Sequence, residues 1–571
     1  MAVGRRPGTR AGALNRRDFL RVTGAAGALV GVGAGCTPAT DAAGVPVIGS
    51  DGRPVRVIDQ LWAPDDRRRL VWRAPRNPDD PERLAPAGSR RVLVVGGGIA
   101  GLSAALELAE RGYAVTVRES DPVLGGRLAT RDLDPGLGRT FRVEHGLHMW
   151  FDNYQVLKDI RRRLEVDRHF RPYDVVNFVF RDYLPEALRS DPQVFPFNLA
   201  AIVDRSPNLD WSDIVGTANI LPDLVQFDLD GIYERHDSET FVDWIARNGV
   251  SPRFRDVVLF PAAHVTLNRL QDLSAAEMLL FQHLYFISQP YAFDREITTV
   301  DHGTALIDPW VARIRSLGGT VTTGAAVPGL RIEGDRAVGV VGESETFDWV
   351  VLACDVRGAQ AVLAGSVGDG SGGAAALDRL RGRIGQQQSA PPYRILRAWF
   401  DRRPDPSRPD VIETPQHDPL ALICQFHLLE QEPMDWAAAT GGAVIEFHLY
   451  ALEGDLADAP DDEVWDRIRP TVLEVLPEMA DATLLGSTVG THRDFTSFGV
   501  GLGLVRPLPE TPALDGVANL RLAGDWVAAP TPSALMERAA VTGRLAANAC
   551  LFADSVREVG YQHVSPRGPL S

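Results

Sequence analysis

Residues Arg91–Glu119 read RVLVVGGGIAGLSAALELAERGYAVTVRE, and this stretch decides the fold. Val92–Val95 is a short, β-branched apolar run of the kind that forms a buried parallel strand. Gly96, Gly98 and Gly101 then match G-x-G-x-x-G. Gly96 permits the tight turn, Gly98 lets the backbone approach a pyrophosphate, and Gly101 lets the next helix pack close to the strand. That helix opens at Ile99-Ala100 and carries Leu102, Ala105, Leu106 and Ala109 on one face. Its N-terminus aims free N–H groups and a partial positive charge at the phosphates. Arg111-Gly112 ends it, and Tyr113–Arg118 is a second strand. Glu119, followed by Ser120, closes that strand about 20 residues past the glycines, where an acid accepts from a ribose hydroxyl. Strand, glycines, helix, strand and terminal acid in this order predict a dinucleotide site. The acid at 119 disfavours NADP, whose 2′-phosphate wants an arginine, but the motif alone does not choose between FAD and NAD.

Just downstream, Asp121–Arg127 reads DPVLGGR. Gly125 and Gly126 suit a loop that hugs the cofactor, with Arg127 neutralising a phosphate. Val94–Leu102, Glu119 and Leu124–Arg127 together resemble the N-terminal signature of FAD-dependent amine oxidases and carotenoid desaturases. The resemblance implies FAD rather than NAD. It also implies an α/β fold, with a Rossmann-like FAD-binding domain and a discontinuous α+β substrate domain. At the other end, Leu520–Asn548 delivers Gly524-Asp525 from a strand, then a proline loop, then a helix through Met536 and Ala539. In that family pattern Asp525 accepts from the ribitol hydroxyls and Val327 contacts the adenine through its backbone. The small residues Ala539, Ala540 and Gly543 allow close approach to the flavin. The nearest subgroup is the aromatic-carotenoid β-carotene desaturase/methylase type. It is matched by Gly146-Leu147-His148, Pro196–Leu199, Arg397–Asp401, Val444–Ala451, Leu522–Trp526 and Ala534–Ala540.

The candidate catalytic residues are Glu144, His145 and His148, in a Gly-x-His segment that the resemblance places near the flavin. The histidines are three apart, but no cysteine or carboxylate cluster accompanies them, so no metal is expected. They either hydrogen-bond to backbone or stand beside the flavin or substrate. Glu144 or Glu446 is a candidate counter-charge to a carbocation should a ring be aromatised. Ala275–Ile287 is apolar nearly all round, a core helix or the wall of a greasy pocket. Arg394–Phe400, Leu420–His427 and Ala443–Tyr450 are strand-like and predict a second sheet. Cys354 reads as a small buried residue, with no partner to make it a nucleophile.

The 571 residues carry a net charge of −16, which argues against nucleic acid and against attraction to anionic lipid. Asn15–Cys36 has Arg16-Arg17 ahead of a weakly apolar run and resembles a twin-arginine export signal. Such export moves folded proteins, which suits a chain whose cofactor is inserted first and implies an extracytoplasmic location. Cys36 resembles a lipoprotein acceptor, which would tie the chain to a membrane surface; cleavage nearby is the alternative. The predicted organisation is a signal over 1–36 and a linker over 37–89. An FAD domain follows over 90–160, 296–360 and 515–555, a substrate domain over 161–295 and 361–514, and a tail over 556–571. Gly365–Ala375 reads as a mobile Gly/Ser-rich loop. The expected function is FAD-dependent dehydrogenation of a hydrophobic carotenoid or isoprenoid, with quinone or oxygen as electron acceptor. The alternatives are an exported amine oxidase and a non-catalytic flavin lipoprotein. The aromatic-carotenoid enzymes are not expected to carry an export signal, which leaves the substrate open.

Overall fold

The computed structural model describes residues 70–569, apart from 190–196, 216, 290 and 371. The fingerprint strand Arg91–Val95 sits in the middle of a five-stranded sheet. Its order is Thr320–Thr322, Ala114–Arg118, Arg91–Val95, Trp349–Leu352, Leu520–Leu522. Every neighbouring pair is parallel. Four of the five residues of Arg91–Val95 are buried, as an unbroken apolar run in a parallel sheet requires. Strand order reverses beside this strand, so its carboxyl end opens onto the crevice where doubly wound sheets bind ligands.

The fingerprint helix Ile99–Glu110 is buried along all but its last residue. It lies beneath the long C-terminal helix Leu535–Ala553, so the two ends of the chain build one site. A Cβ on Gly543 would stand 2.3 Å from the Ala100 carbonyl oxygen, and Ser103 Oγ donates to the Ala540 carbonyl at 2.8 Å. The smallness of Gly543 therefore serves contact between helices, not approach to a flavin as the sequence suggests. Glu107, fully buried at the same interface, pairs with Arg163 at 2.6 Å, Arg544 at 2.7 Å and Arg111 at 3.2 Å.

The second body is a seven-stranded sheet in the order Leu484–His492, Tyr393–Phe400, Ala443–Leu449, Leu420–Cys424, Val411–Glu413, Val175–Phe178, Glu186–Arg189. Its neighbours are antiparallel except Val411–Glu413 with Val175–Phe178. The three strands expected from sequence form its centre. The predicted helix at Ala275 is α-helical to Gln282 and continues as a π-turn over His283–Ile287, buried throughout the α-helical part.

Two boundaries differ from expectation. Residues 361–384 pack on the dinucleotide sheet rather than on the substrate part. Ala376, Leu377, Leu380 and Ile384, spaced on one helical face, share a core with Leu330, Val350 and Leu520. Within the expected loop, Val367 pairs with Arg331 and a helix begins at Gly373. The tail is also not free. Tyr561–Val564 pairs antiparallel with Leu70–Arg73 from the expected linker. A four-residue strand whose partner lies at the far end of the chain leaves no local sequence signal. The twin-arginine segment, Cys36 and residues 37–69 lie outside the described residues. Among the described residues no helix is long and apolar enough to cross a membrane.

Candidate active site

A continuous cavity of about 1150 Å³ runs from the carboxyl end of the parallel sheet to the face of the second sheet. A single small-ligand site spans about 300–1,000 Å³, so this one has room for a cofactor and a second molecule. The fingerprint residues Gly96, Gly98, Ile99 and Ala100 line it, followed by Glu119, Ser120, Gly125, Gly126 and Arg127. Val327, Gly524, Asp525, Met536 and Ala539 complete the cradle. Ala540 and Gly543 do not line it, and nor does Gly101. A Cβ there would lie 2.0 Å from the Gly96 carbonyl oxygen, so its role is close packing alone.

The cradle fits a dinucleotide. Gly96 has φ +110°, and a Cβ on it would meet the Ala353 carbonyl oxygen at 2.6 Å. A Cβ on Gly98 would instead have only the Gly125-Gly126 backbone nearby, at 3.8 Å. The crease between the two glycine loops is thus open to a group that hugs backbone, and Gly125 N–H ties the loops together through the Gly97 carbonyl at 2.9 Å. No side chain caps the helix at Gly98, which leaves its N-terminal field for an anion. The Glu119 carboxylate is fixed by Gly97 N–H at 2.7 Å, Asp121 N–H at 2.8 Å and the Ser120 hydroxyl at 3.0 Å. Arg127 reaches Asp525 Oδ1 at 2.8 Å and lies 5.0 Å over the Phe495 ring, rather than facing the glycine crease alone. Asp525 is 2% exposed, and its Oδ2 has no hydrogen-bond partner. A buried acceptor left over in this way asks for a hydroxyl donor.

Glu144, His145 and His148 all line the cavity, but they serve three different clusters. His145 Nε2 lies 2.7 Å from the Tyr393 hydroxyl, which also reaches Asp494 Oδ1 at 2.9 Å. Its ring lies 3.6 Å from that of His492, tilted by 34°. Among the described residues, the ligand atoms of His145, His492 and Asp494 come within 4.8 Å of one another; His148 is not in that group. Burial, then the charges of His492 and His148, hold the His145 imidazole well below its ordinary pKa. His148 Nδ1 faces the Gly146 carbonyl at 2.8 Å. Burial and the neighbouring His302 bring it down to about 3, so it is neutral at pH 7. His148 thus bonds to backbone, whereas His145 bonds to a tyrosine side chain, and both stand in the cavity wall.

Glu144 belongs to a buried charge network. Its Oε1 accepts the His302 backbone N–H at 2.7 Å, and its Oε2 lies 3.3 Å from Arg397. Arg397 reaches Glu446 at 2.7 Å and lies 3.7 Å over the Phe426 ring. Burial alone would raise the Glu144 carboxyl, but His302 and Arg397 outweigh it and keep the group ionised. Glu446 is likewise held low, by Arg397 and His448 against the effect of burial. Glu430 goes the other way: burial and the adjacent Glu144 charge push it well above the carboxylate range. Arg397 thus stands between two ionised carboxylates, Glu144 and Glu446, beside the cavity. Arg397, Tyr393, His448, Tyr450, His492 and Asp494 were not singled out as site residues from sequence. The alternation Glu446-x-His448-x-Tyr450, which puts three polar groups on one face of a strand, is the signal that carries part of this set.

Beyond the cradle the wall turns apolar, with Phe178, Val257, Val258, Phe281, Tyr285 and Phe286 facing the space. The helix predicted as a pocket wall is therefore one. Cys354 also lines the cavity, with its thiol 3.5 Å from the Val95 carbonyl; burial pushes the thiol up and keeps it protonated.

Residues 99–551 match the family described as flavin containing amine oxidoreductase. The chain is 29% identical to a carotenoid phi-ring synthase of Chlorobaculum tepidum, over 82% of this chain and 89% of the other. It is 30% identical to a carotenoid phi-ring synthase of Streptomyces griseus, over 83% and 91%. Among solved structures it is similar to putrescine oxidase bound to putrescine, with a TM-score of 0.56 and 16% identity over 81% of this chain and 99% of that one. At that identity the likeness speaks for the fold alone.

Proposed function

The chain belongs to the flavin-containing amine oxidoreductase family and is an FAD-dependent oxidoreductase, and from that premise we propose that it dehydrogenates the ring of a carotenoid. The observation that carries this reading is the continuity of the cavity, in which the dinucleotide cradle opens directly into an aromatic and aliphatic wall. A small diamine would leave that wall unfilled, whereas an extended polyene end-group would bury it, at about 25 cal/mol per Å² of apolar surface removed from water. Both phi-ring synthases match this chain over more than four-fifths of its length, which supports a ring-bearing polyene rather than an open-chain one.

FAD, when bound, supplies a two-electron acceptor for the hydride that the substrate loses. The chain's own residues supply position and field. The apolar wall excludes water and sets the ring against the cofactor. The ionised carboxylate of Glu144, with Glu446 behind it, stands beside the cavity, where it stabilises a carbon that becomes positive as hydride departs. Electrons leave to a quinone or to oxygen. The twin-arginine segment sends the folded, loaded protein out of the cytoplasm; cell fractionation with the Arg16-Arg17 pair replaced by lysines tests that part.

Incubating the FAD-loaded protein with β-carotene and a soluble quinone, with products identified by mass spectrometry, tests the chemistry. A product lighter by two or four hydrogens is expected. An unchanged carotene, together with deamination of a simple amine, would replace this reading with the amine oxidase one.

A further inference from the structure

Glu446, His448 and Tyr450 alternate along the strand Ala443–Leu449 and the residue after it, so strand periodicity places all three on one face. There they form a hydrogen-bonded line. The Tyr450 hydroxyl lies 2.7 Å from His448 Nδ1, and His448 Nε2 lies 2.7 Å from Glu446 Oε1. Glu446 is anchored from behind by Arg397 at 2.7 Å and by the Leu147 backbone N–H at 3.0 Å. Glu446 and His448 are 0% and 2% exposed, while Tyr450 is part-exposed and, with His448, lines the cavity. The line thus runs from the cavity wall into the interior. Because Glu446 is an ionised acceptor, His448 donates through Nε2 and is left with Nδ1 as an acceptor for the Tyr450 O–H. The whole arrangement sits against the Gly146 segment, since a Cβ on Gly146 would lie 3.1 Å from His448 Cε1.

We propose that Tyr450 is the catalytic acid–base of the dehydrogenation, with His448 and Glu446 as the positioning residues that take its proton. This rests on the carotenoid reading above. Forming a carbon–carbon double bond removes two hydrogens from adjacent carbons. One leaves as hydride to FAD with both electrons of its C–H bond. The other leaves as a proton to the Tyr450 oxygen, and its C–H electron pair becomes the new π bond. As Tyr450 accepts that proton it passes its own to His448 Nδ1, and the resulting imidazolium is held against Glu446. A free phenolate is never needed, which matters because burial and the acids around it, Glu413 and Glu446, disfavour one. The groups facing the relay are Cys424 and Glu413 beside Tyr450, Arg397 and Glu144 beside Glu446, and His148 beside His448.

The test uses FAD-loaded protein and β-carotene. Tyr450→Phe is expected to slow anaerobic flavin reduction about 10²–10⁴-fold, the usual contribution of a general acid–base, with carotene binding unchanged. His448→Gln slows it less and flattens the pH profile of the reduction rate. A readout free of turnover is the ¹⁹F resonance of 3-fluorotyrosine placed at 450, which should move with pH and lose that movement in His448→Gln. Wild-type reduction rates in Tyr450→Phe, or a ¹⁹F signal indifferent to His448, overturn the proposal while leaving the carotenoid reading intact. No reduction of the wild-type flavin by any carotene overturns both.

Discussion

Gly543→Ala probes how the two chain ends build the cofactor site. The new Cβ would stand 2.3 Å from the Ala100 carbonyl oxygen and 2.8 Å from Ser103 Cβ. Ordinary contact begins near 3.5 Å, so the helices must part by roughly 1 Å at their crossing. Neither helix can yield easily. Ser103 bonds to Ala540 one turn away, and Glu107 pairs with Arg544 one residue on. Overpacking of this kind costs about 1–3 kcal/mol. Ala100 and Ala539, on either side of the crossing, both line the cradle. If half of that strain falls on the cradle, FAD binding weakens about two- to tenfold, since about 1.4 kcal/mol is a factor of ten. Titration of apoprotein with FAD, followed by quenching of flavin fluorescence, measures this, and thermal melts of the apoprotein measure the remainder. A variant with wild-type FAD affinity and an unchanged melting temperature would show that the helices do not touch as described. Gly382→Ala is the control: its Cβ would meet nothing within 4 Å in the helix Gly373–Ile384, so about 0.5–1 kcal/mol of stabilisation is expected.

Glu107 is held at about 2, against an ordinary 4.5, because Arg544, Arg163 and Arg111 outweigh the effect of burial. A carboxyl lowered on folding contributes stability that is complete above pH 4.5 and lost as pH falls towards 2, and this drop corresponds to about 3 kcal/mol. Glu107→Gln should remove that acid-limb loss in urea melts at pH 3 to 7 while lowering stability at pH 7; an unchanged acid limb argues against the network. Arg397→Met leaves Glu144 and Glu446 buried without their counter-charge and should destabilise by about 3–5 kcal/mol, measured the same way. Glu413, raised to about 8 by burial with Arg295 offsetting part of it, works in the opposite sense. Its folded form keeps a proton that the unfolded chain gives up, so it costs stability as pH climbs from the ordinary carboxylate range towards 8. Glu413→Gln should therefore be more stable than wild type at pH 8.5 and no different at pH 4.

The cofactor half was legible because its determinants are local. Glycines, a helix start and a strand-ending acid lie within thirty residues of each other, and Gly524-Asp525 repeats that economy at the other end. The cradle glycines, Glu119, Arg127 and Asp525 all lie in such short patterns, and Gly101 shares the first of them without lining the cradle. The polar wall opposite the cradle was not legible, because long-range strand pairing assembles it. Tyr393 meets His492 across one register of the second sheet, and His145 joins them from another element. Period two puts Glu446, His448 and Tyr450 on one face, but nothing local says which face borders the cavity. The same limit explains the missed pairing of Tyr561–Val564 with Leu70–Arg73. Residues 361–384 join the dinucleotide sheet through the helical spacing of Ala376, Leu377, Leu380 and Ile384, a signal that begins just past the glycine-rich stretch near 370.

The central claim is that the apolar wall and the FAD cradle are one working site. Anaerobic mixing of the FAD-loaded protein with β-carotene in one syringe and putrescine in another tests it most directly, with the oxidised-flavin absorbance as the signal. Bleaching by the carotene and none by the diamine is the expected result. Bleaching by putrescine with no response to any carotene would contradict it.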